Sequence, residues 1–191
     1  HSKYHNVFKK FIERFGYYDL FIIDNETGKI VYTVYKEIDF TSSLSEGPLK
    51  HTNLAEAFDQ VKNASSDTIS KLVDYEPYHP SYNAHSSFIA CPIFDGEKQI
   101  GVLAFQMPID RINSIMTNNG RWEKVGLGKS GETYIIGEDM TLRNQSRFLI
   151  EDSVNYFKML RDLGVESTTI SKIKTFNSSI GLQEVKTVGT L

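Results

Sequence analysis

The chain of 191 residues has a single cysteine, Cys91, no long apolar run and no excess of positive charge. One cysteine excludes an internal disulfide and any paired-cysteine metal or redox motif, and it leaves the cellular compartment open. No run approaches the roughly 18 apolar residues that cross a bilayer as a helix. The net charge of -3 comes from interspersed acidic and basic residues, without the basic stripe of a nucleic-acid binder. We therefore expect no nucleic-acid partner.

Catalytic and metal motifs are also missing from the sequence. Metal-capable residues between positions 74 and 85 match no established ligand spacing; they are Asp74, Glu76, His79 and His85. The glycine-rich run at residues 126–131 resembles a phosphate-binding loop, but it lacks the first glycine of that motif and a predicted strand follows it. No nucleophile elbow, zinc-protease motif or carboxylate pair is present. The sequence therefore predicts a protein that is not an enzyme and that has no cofactor and no metal site.

Aromatic residues make up 12% and hydrophobic residues 40% of the chain, which is enough to build a core. Apolar residues at helical spacing predict an amphipathic helix over residues 4–15, which Gly16 ends. Aromatic and alternating runs predict two hairpins, over residues 17–35 and 87–107, each with a glycine in its turn.

The segment between the hairpins predicts a helix over residues 54–63, capped by Asn53, and a strand over residues 69–75. A further helix is expected after Pro108. These elements predict an α+β fold, in which one five-stranded antiparallel sheet carries its helices on one side. We expect this first lobe over residues 1–118.

The second part of the chain, residues 119–191, has a different pattern. It predicts loops, a short strand over residues 133–137 and a helix over residues 155–163. One hairpin and one helix do not bury an independent core, so we expect a linker and the beginning of a second, truncated lobe. Because a helical pattern begins close to His1 and no terminal element precedes Leu191, we expect a fragment of a longer protein.

Gln106 is the lone uncharged polar residue in the apolar strand that ends the second hairpin. One interpretation is a core amide that bonds to the backbone and fixes the register of the sheet. The other is a ligand-binding residue, because an amide offers both a donor and an acceptor to a small polar molecule.

The loop before this hairpin contains three tyrosines, Tyr75, Tyr78 and Tyr82. Each has an apolar ring and a polar tip. They either pack the loop against the sheet or form the wall of a ligand pocket.

Six segments carry a pattern shared with a known family: Phe15–Asp24 (FGYYDLFIID), Tyr35–Phe40 (YKEIDF), Asn53–Phe58 (NLAEAF), Asp74–Tyr82 (DYEPYHPSY), Phe105–Asn113 (FQMPIDRIN) and Gly131–Gly137 (GETYIIG). Together they resemble the double Cache, PAS-like, extracytoplasmic sensor domains of bacterial methyl-accepting chemotaxis proteins. The resemblance covers residues 4–150. It implies a PAS-like first lobe that is nearly complete, followed by an incomplete second PAS-like lobe.

The resemblance also implies a function. It describes a periplasmic module of an inner-membrane chemoreceptor, anchored through segments outside this chain and homodimeric in the full-length protein. The module would bind a small organic solute and transmit a conformational signal across the membrane. Two alternatives stay open: the sensor domain of a histidine kinase or nucleotide cyclase, and a module that dimerises or binds a partner protein without a ligand of its own.

The chain departs from amino-acid-binding members of that family at two places. Residues 45–53 lack the arginine and aromatic residues that bind a ligand carboxylate in those members, and Gln106 replaces the acid that binds the amino group. The loop over residues 74–82 does match. The resemblance and the residue patterns together predict a ligand without a free ammonium group and a binding set of Asp74, Tyr75, Tyr78, Tyr82, Ser87 and Gln106.

Overall fold

The computed structural model describes residues 3–185, and the chain divides between Pro108 and Ile109 into two compact units. The first unit contains a helix, two strands, a second helix and three further strands. Their bounds are α1 His5–Phe15, β1 Asp19–Asp24, β2 Ile30–Thr33, α2 Asn53–Val61, β3 Lys71–Tyr78, β4 Ala84–Asp95 and β5 Lys98–Met107. A short 3-10 turn, His79–Ser81, connects β3 to β4.

The strands form one antiparallel sheet in the order β2-β1-β5-β4-β3. β1 pairs with β2 and β4 pairs with β5, as the two hairpins predict. The hairpins join where β5 pairs with β1, from Asp19 opposite Gln106 to Asp24 opposite Gly101. The α+β fold with a five-stranded antiparallel sheet is therefore confirmed.

Helices cover both faces of this sheet, so the expectation of helices on one side is wrong. Successive side chains of a strand point to opposite faces, and β1 is apolar at successive positions. Leu20 packs with Ile12 of α1, whereas Phe21 packs with Phe58 of α2. Each face of β1 therefore needs its own cover.

The core under α2 is the larger of the two. It includes Ile23, Leu54, Val61, Val73, Phe88, Val102 and Ala104. The α1 side has a smaller cluster in which Phe8, Leu103 and Phe105 are partly buried. Polar groups placed on the α2 side of the sheet therefore enter the main core of this unit.

The second unit is helical in its described part. Its helices are α3 Ile109–Met116, α4 Arg147–Glu151, α5 Ser153–Asp162 and α6 Ser167–Phe176. It has a core of its own, formed by Leu149, Tyr156, Leu160, Ile170 and Ile173. Serine, threonine and lysine residues interrupt the apolar face of α6, so its sequence shows only weak helical periodicity.

Two expectations about this unit need correction. The predicted strand over residues 133–137 is wrong, because a single bridge pairs Ile136 with Leu142 there. The boundary between the two compact units also lies before residue 118. Helix α3 belongs to the second unit, in which Asn113 Oδ1 accepts from the backbone N–H of Gln145 at 2.7 Å. That the region begins a second lobe stays a prediction, and residues 186–191 lie outside the described part. Within residues 3–185, no helix has the length and apolar character to cross a membrane.

Candidate functional site

Polar side chains gather on the α2 side of the sheet, at the end where β1 begins and β5 ends. Asp19 and Gln106 are register partners across β1 and β5, and Phe88 of β4 lies on the other side of Gln106. Asp19 is 1% exposed and Gln106 is 3% exposed. Hydrogen bonds and charge interactions link Asp19 and Gln106 to six further residues, and we call the whole set the polar cluster. Its members are Asp19, Glu37, Asp39, Asn53, Tyr78, Ser81, Ser86 and Gln106.

Gln106 is only half satisfied in this cluster. Its Nε2 donates to Ser86 Oγ at 2.8 Å and to Ser81 Oγ at 3.1 Å. Its Oε1 is buried and accepts from no donor among the described residues. The side chain therefore does not bond to the backbone as a register-fixing amide does, and a buried acceptor without a donor costs about 1–3 kcal/mol.

Tyr78 is fully buried, as a core or pocket tyrosine would be. Its hydroxyl donates to Asp39 Oδ2 at 2.9 Å, and its ring meets that of Phe88 edge-on with centroids 5.0 Å apart. Burial, together with the negative charges of Asp39, Glu37 and Asp19, raises the pKa of Tyr78 far above its usual range. One hydroxyl thus lies in the field of three carboxylates.

Asp19 and Asp39 are the two functional candidates that sequence reasoning missed. Asp19 Oδ1 accepts from the backbone N–H groups of Leu20 at 2.6 Å and Val34 at 2.9 Å, whereas its Oδ2 is buried without a donor. Burial raises the pKa of Asp19 to about 6, backbone N–H donors oppose this, and the charge of Asp39 adds to it. Burial likewise raises the pKa of Asp39, whose Oδ1 has no donor among the described residues.

A signal for Asp19 was present in the sequence. Asp19 precedes Phe21 and Ile23 by two and four positions, so strand alternation places all three on one face. Both of those residues are fully buried on the α2 side. Asp39 gave no comparable signal, because it lies in a polar connecting segment.

Asn53 is a buried bonding residue and not the helix cap that the sequence predicts. The cap is Thr52, whose Oγ1 accepts from the backbone N–H of Ala55 at 3.3 Å. Asn53 Nδ2 donates to the carbonyl oxygens of Ser86 at 2.5 Å and Asp74 at 3.1 Å, and its Oδ1 is buried without a donor. Asn53 therefore ties α2 to β3 and β4 and joins the cluster through its bond to Ser86.

The predicted binding residues do not all meet in the cluster. Tyr82 is 91% exposed with a left-handed φ of 56°, and it lines an open groove of about 380 Å³ with Glu37 and His79. Ser87 is buried, but its hydroxyl donates to the carbonyl oxygen of Val73 at 2.6 Å, within the sheet. Tyr82 and Ser87 therefore stand apart from Tyr78 and Gln106.

The remaining two predicted residues lie on β3. The exposed Asp74 accepts through its carboxylate from the backbone N–H of Tyr75 at 2.7 Å. Tyr75 is half-buried, and burial, with a smaller effect of the Asp74 charge, raises its pKa to about 12. The backbone carbonyl of Asp74 accepts from Asn53 of the polar cluster.

The glycine-rich run at residues 126–131 has a structural role within the second unit. The guanidinium of Arg147 donates to the carbonyl oxygens of Gly128 at 3.0 Å and Gly131 at 2.7 Å. It also lies 4.8 Å from the ring centroid of Trp122 and pairs with Glu151. The carbonyl groups of this run face a cation, whereas a phosphate loop presents its N–H groups to an anion.

No family model matches the chain, and no curated protein matches it. Among solved structures it is similar to the ligand-binding domain of the Campylobacter jejuni chemoreceptor Tlp3 in complex with 4-methylisoleucine. That match has a TM-score of 0.50 and 12% identity, and covers 81% of this chain and 57% of the other. The chain has a Cache-like sensor-domain fold. The resemblance seen in the sequence is thus confirmed at the level of the fold.

Two further solved structures are similar to the chain. The ligand-binding domain of the Pseudomonas aeruginosa PAO1 amino acid chemoreceptor PctC, in complex with GABA, matches with a TM-score of 0.48 and 10% identity, over 75% of this chain and 54% of the other. The sensor domain of the Vibrio cholerae histidine kinase DctB matches with a TM-score of 0.42 and 11% identity, over 59% of this chain and 39% of the other. The chain spans between 39% and 57% of the length of these three structures.

Proposed function

We propose that this chain is an extracytoplasmic sensor domain of a bacterial transmembrane receptor, and that it binds a small organic solute in the polar cluster. The Cache-like fold supports the sensor class. The observation that carries the ligand site is a set of four buried acceptor oxygens without donors, on Asp19, Asp39, Asn53 and Gln106. A chemoreceptor is our first choice of receptor, and a histidine kinase or nucleotide cyclase is the alternative.

The unpaired acceptors argue for a ligand because each one destabilises the empty protein. A buried polar group that lacks a partner costs about 1–3 kcal/mol, and buried polar groups are bonded in the great majority of cases. Four such groups within the first unit are a large cost for a unit of this size. A solute that donates hydrogen bonds to them would recover that cost on binding.

The segments that cover the cluster contain strained backbone. Glu37 and Asp39 lie between Lys36 and Thr41, which have left-handed φ values of 54° and 72°. Such a conformation is a marked outlier for a β-branched residue such as threonine. Left-handed residues also follow Ser81 at the other side of the cluster, and strain of this kind is concentrated at ligand-binding segments. We infer that these two segments open to admit the solute.

A route from the cluster to α1 passes through the sheet. Leu20 follows Asp19 and Phe105 precedes Gln106, and both point to the α1 side. The ring of Phe105 stacks on that of Phe11 in α1, with centroids 5.5 Å apart. A ligand that moves Asp19 and Gln106 would therefore move the packing of α1. Signalling requires two conformations that differ in the position of α1, and the solute must bind one of them more tightly than the other.

A thermal-shift screen of small carboxylates, amines, nucleobases and sugars tests the proposal on the 191-residue chain. A solute at 100 times its dissociation constant stabilises the folded state by about 2.7 kcal/mol, which raises Tm by roughly 5–10 °C for a chain of this length. The Gln106→Ala variant should lose that response. Gln99→Ala is the matched control, because Gln99 lies at the other end of β5 and bonds to Val61 and Ala64. If no solute shifts the wild-type Tm, direct sensing by this unit is wrong.

A module without its own ligand is the second candidate, and one observation favours it. Three apolar residues of α1 are exposed, Val7 by 61%, Phe11 by 40% and Phe15 by 57%. Pairing with a second copy would cover this face, in line with the homodimer expected for the full-length protein. Sedimentation of the chain with and without residues 1–15 distinguishes the two: a dimer lost on deletion, with no solute response in the intact chain, favours this candidate.

A further inference from the structure

We propose that Asp19 is a proton-binding switch, in which the protonated carboxyl group donates from its Oδ2 to Gln106 Oε1 across β1 and β5. The proton changes the bonds that Asp19 makes to the backbone on the α1 side of the sheet. This inference goes beyond the proposed function, because it holds whether or not a solute binds.

The amide orientation of Gln106 is fixed by its two serine partners. Ser81 Oγ donates its proton to Glu37 Oε2 at 3.2 Å. Ser86 Oγ donates its proton to the carbonyl oxygen of Ala84, also at 3.2 Å. Because a hydroxyl group has one proton, both serines can only accept from Gln106, and they do so from its Nε2. Oε1 is therefore the amide atom that has no donor among the described residues.

Asp19 places a second unpaired acceptor opposite this amide. The two residues are register partners in an antiparallel pair, in which opposite Cβ atoms are about 4.5–5.5 Å apart on the same face. Both side chains are buried, and Asp19 Oδ2 also lacks a donor among the described residues. Two acceptors cannot bond to each other, but a protonated carboxyl group is a donor. One proton on Oδ2 would therefore satisfy both atoms.

The surroundings of Asp19 favour uptake of that proton near pH 6. Burial raises the pKa of Asp19 to about 6, against the effect of its backbone N–H donors and with an addition from the charge of Asp39. The phenol groups that interact with Asp19 belong to β3, β2 and the residue before β1; they are Tyr78, Tyr32 and Tyr18. Burial raises the pKa of each phenol, so all three are neutral at pH 6.

Further titratable or charged groups lie around the cluster. Lys36 and Glu37 belong to the segment that also contains Asp39, and Lys36 has interactions of its own. His79 lines the open groove with Glu37, and His5 of α1 bonds to the hydroxyl of Tyr32 at 2.9 Å. Histidine is the usual proton-binding residue between pH 5 and pH 8. The test therefore has to separate Asp19 from these two imidazoles.

The bonds of Asp19 connect the proton to α1. Asp19 Oδ1 accepts from the backbone N–H groups of Leu20 and Val34. The side chains of both residues pack with Ile12 of α1 in the smaller core. A hydrogen bond to a neutral carboxyl group is weaker than one to a carboxylate. Uptake of the proton therefore loosens the backbone at two residues that contact α1.

An NMR titration of the carboxyl carbons tests the switch on the 191-residue chain without solute. The Asp19 signal should have a midpoint between pH 5 and pH 7. The amide protons of Leu20 and Val34 and the methyl groups of Ile12 should shift with the same midpoint. Asp95→Asn is the control and should leave that midpoint unchanged, since Asp95 is exposed at the turn between β4 and β5. An Asp19 midpoint outside this range overturns the inference and leaves the proposed function standing.

Two variants separate the switch from a general effect of pH. Asp19→Asn keeps the shape of the side chain and adds a donor without a charge, so the Ile12 signals should hold their low-pH positions at every pH. The double variant His5→Gln/His79→Gln removes both imidazoles and should leave the Ile12 titration unchanged. Ile12 signals that still titrate in Asp19→Asn, or that no longer titrate in the histidine variant, overturn the inference.

A crystal structure of the Asp19→Asn variant locates the donor. The amide nitrogen that the substitution introduces should lie about 3 Å from Gln106 Oε1. A nitrogen that points away, with Gln106 Oε1 still without a donor, overturns the inference. Urea unfolding at pH 7.5 checks that the variant is folded, and the titration of the wild-type chain decides the question if it is not.

Discussion

Replacing Asp19 with asparagine should stabilise the empty chain while it weakens solute binding in the polar cluster. Asparagine keeps the shape of the side chain, and its Oδ1 can still accept from Leu20 and Val34. The substitution removes the buried negative charge that repels Asp39. If the negative charge of Asp19 instead stabilised the fold, the same substitution would destabilise it.

The magnitude follows from the pKa of Asp19. A rise from 3.8 to about 6 means that ionisation in the folded state costs about 3 kcal/mol at neutral pH, at about 1.4 kcal/mol per pKa unit. That pKa already includes the bonds from the backbone N–H groups of Leu20 and Val34, which favour the charged form. Because asparagine corresponds to the neutral form, the expected gain in free energy of unfolding is about 3 kcal/mol at pH 7.5.

The pH dependence of that gain has a defined sign. The pKa of folded Asp19 lies above its unfolded value, so its contribution to stability is complete below about pH 4 and is lost as the pH rises to about 6. Asparagine does not titrate and lacks this loss. The difference in stability between variant and wild type should thus move in favour of the variant between pH 4 and pH 6 and stay constant above that range.

Urea unfolding of both proteins at several pH values measures the difference. Asp95→Asn is the control and should remain within about 0.5 kcal/mol of wild type, because surface substitutions rarely do more. A variant that is less stable than wild type by more than about 1 kcal/mol, by the same amount at pH 4 and pH 7.5, would show that the buried charge does not destabilise the empty chain. The Asp19 carboxylate would then be a structural acceptor and not part of a ligand site.

Three other predictions follow from the cluster and its supports. Tyr78→Phe removes the side-chain donor of Asp39 and should lower the free energy of unfolding by about 1–3 kcal/mol in urea. Tyr82→Phe should change it by less than about 0.5 kcal/mol, and equal effects would contradict the burial of Tyr78. Thr52→Ala removes the helix cap and should cost about 1 kcal/mol of unfolding free energy. Asn53→Ala should cost more, because Asn53 bonds to two backbone carbonyls. The reverse order would indicate that Asn53 is the cap. Phe11→Ala should leave solute affinity nearly unchanged but abolish signalling in the full-length receptor, and undiminished signalling would exclude the route through α1.

The first unit was largely predictable because its elements follow local rules. The hairpins are specified by apolar runs around turns that contain glycine, and α1 by its spacing of apolar residues. The face that each helix covers was not predictable, because β1 is apolar at both Leu20 and Phe21 and so gives no alternation to read. In the second unit, α6 was missed because serine and threonine interrupt its apolar face.

The candidate site could be predicted only in part. Gln106 and Tyr78 are candidates from the sequence because one is the lone polar residue in an apolar strand and the other lies in a tyrosine-rich loop. The exposure of Tyr82 depends on a left-handed backbone turn after Ser81, which the residue type does not dictate. Asp39 is buried only because the segment after β2 folds back over Tyr78, and such a tertiary contact leaves no local pattern in the sequence.

A crystal structure of the chain with the solute that gives the largest thermal shift would decide whether the polar cluster is the binding site. We predict electron density for the solute in the polar cluster, with donor atoms at about 3 Å from Asp19 Oδ2 and Asp39 Oδ1. Density for the solute in the open groove beside His79 and Tyr82, with the cluster unchanged and its acceptors still unpaired, would contradict this prediction.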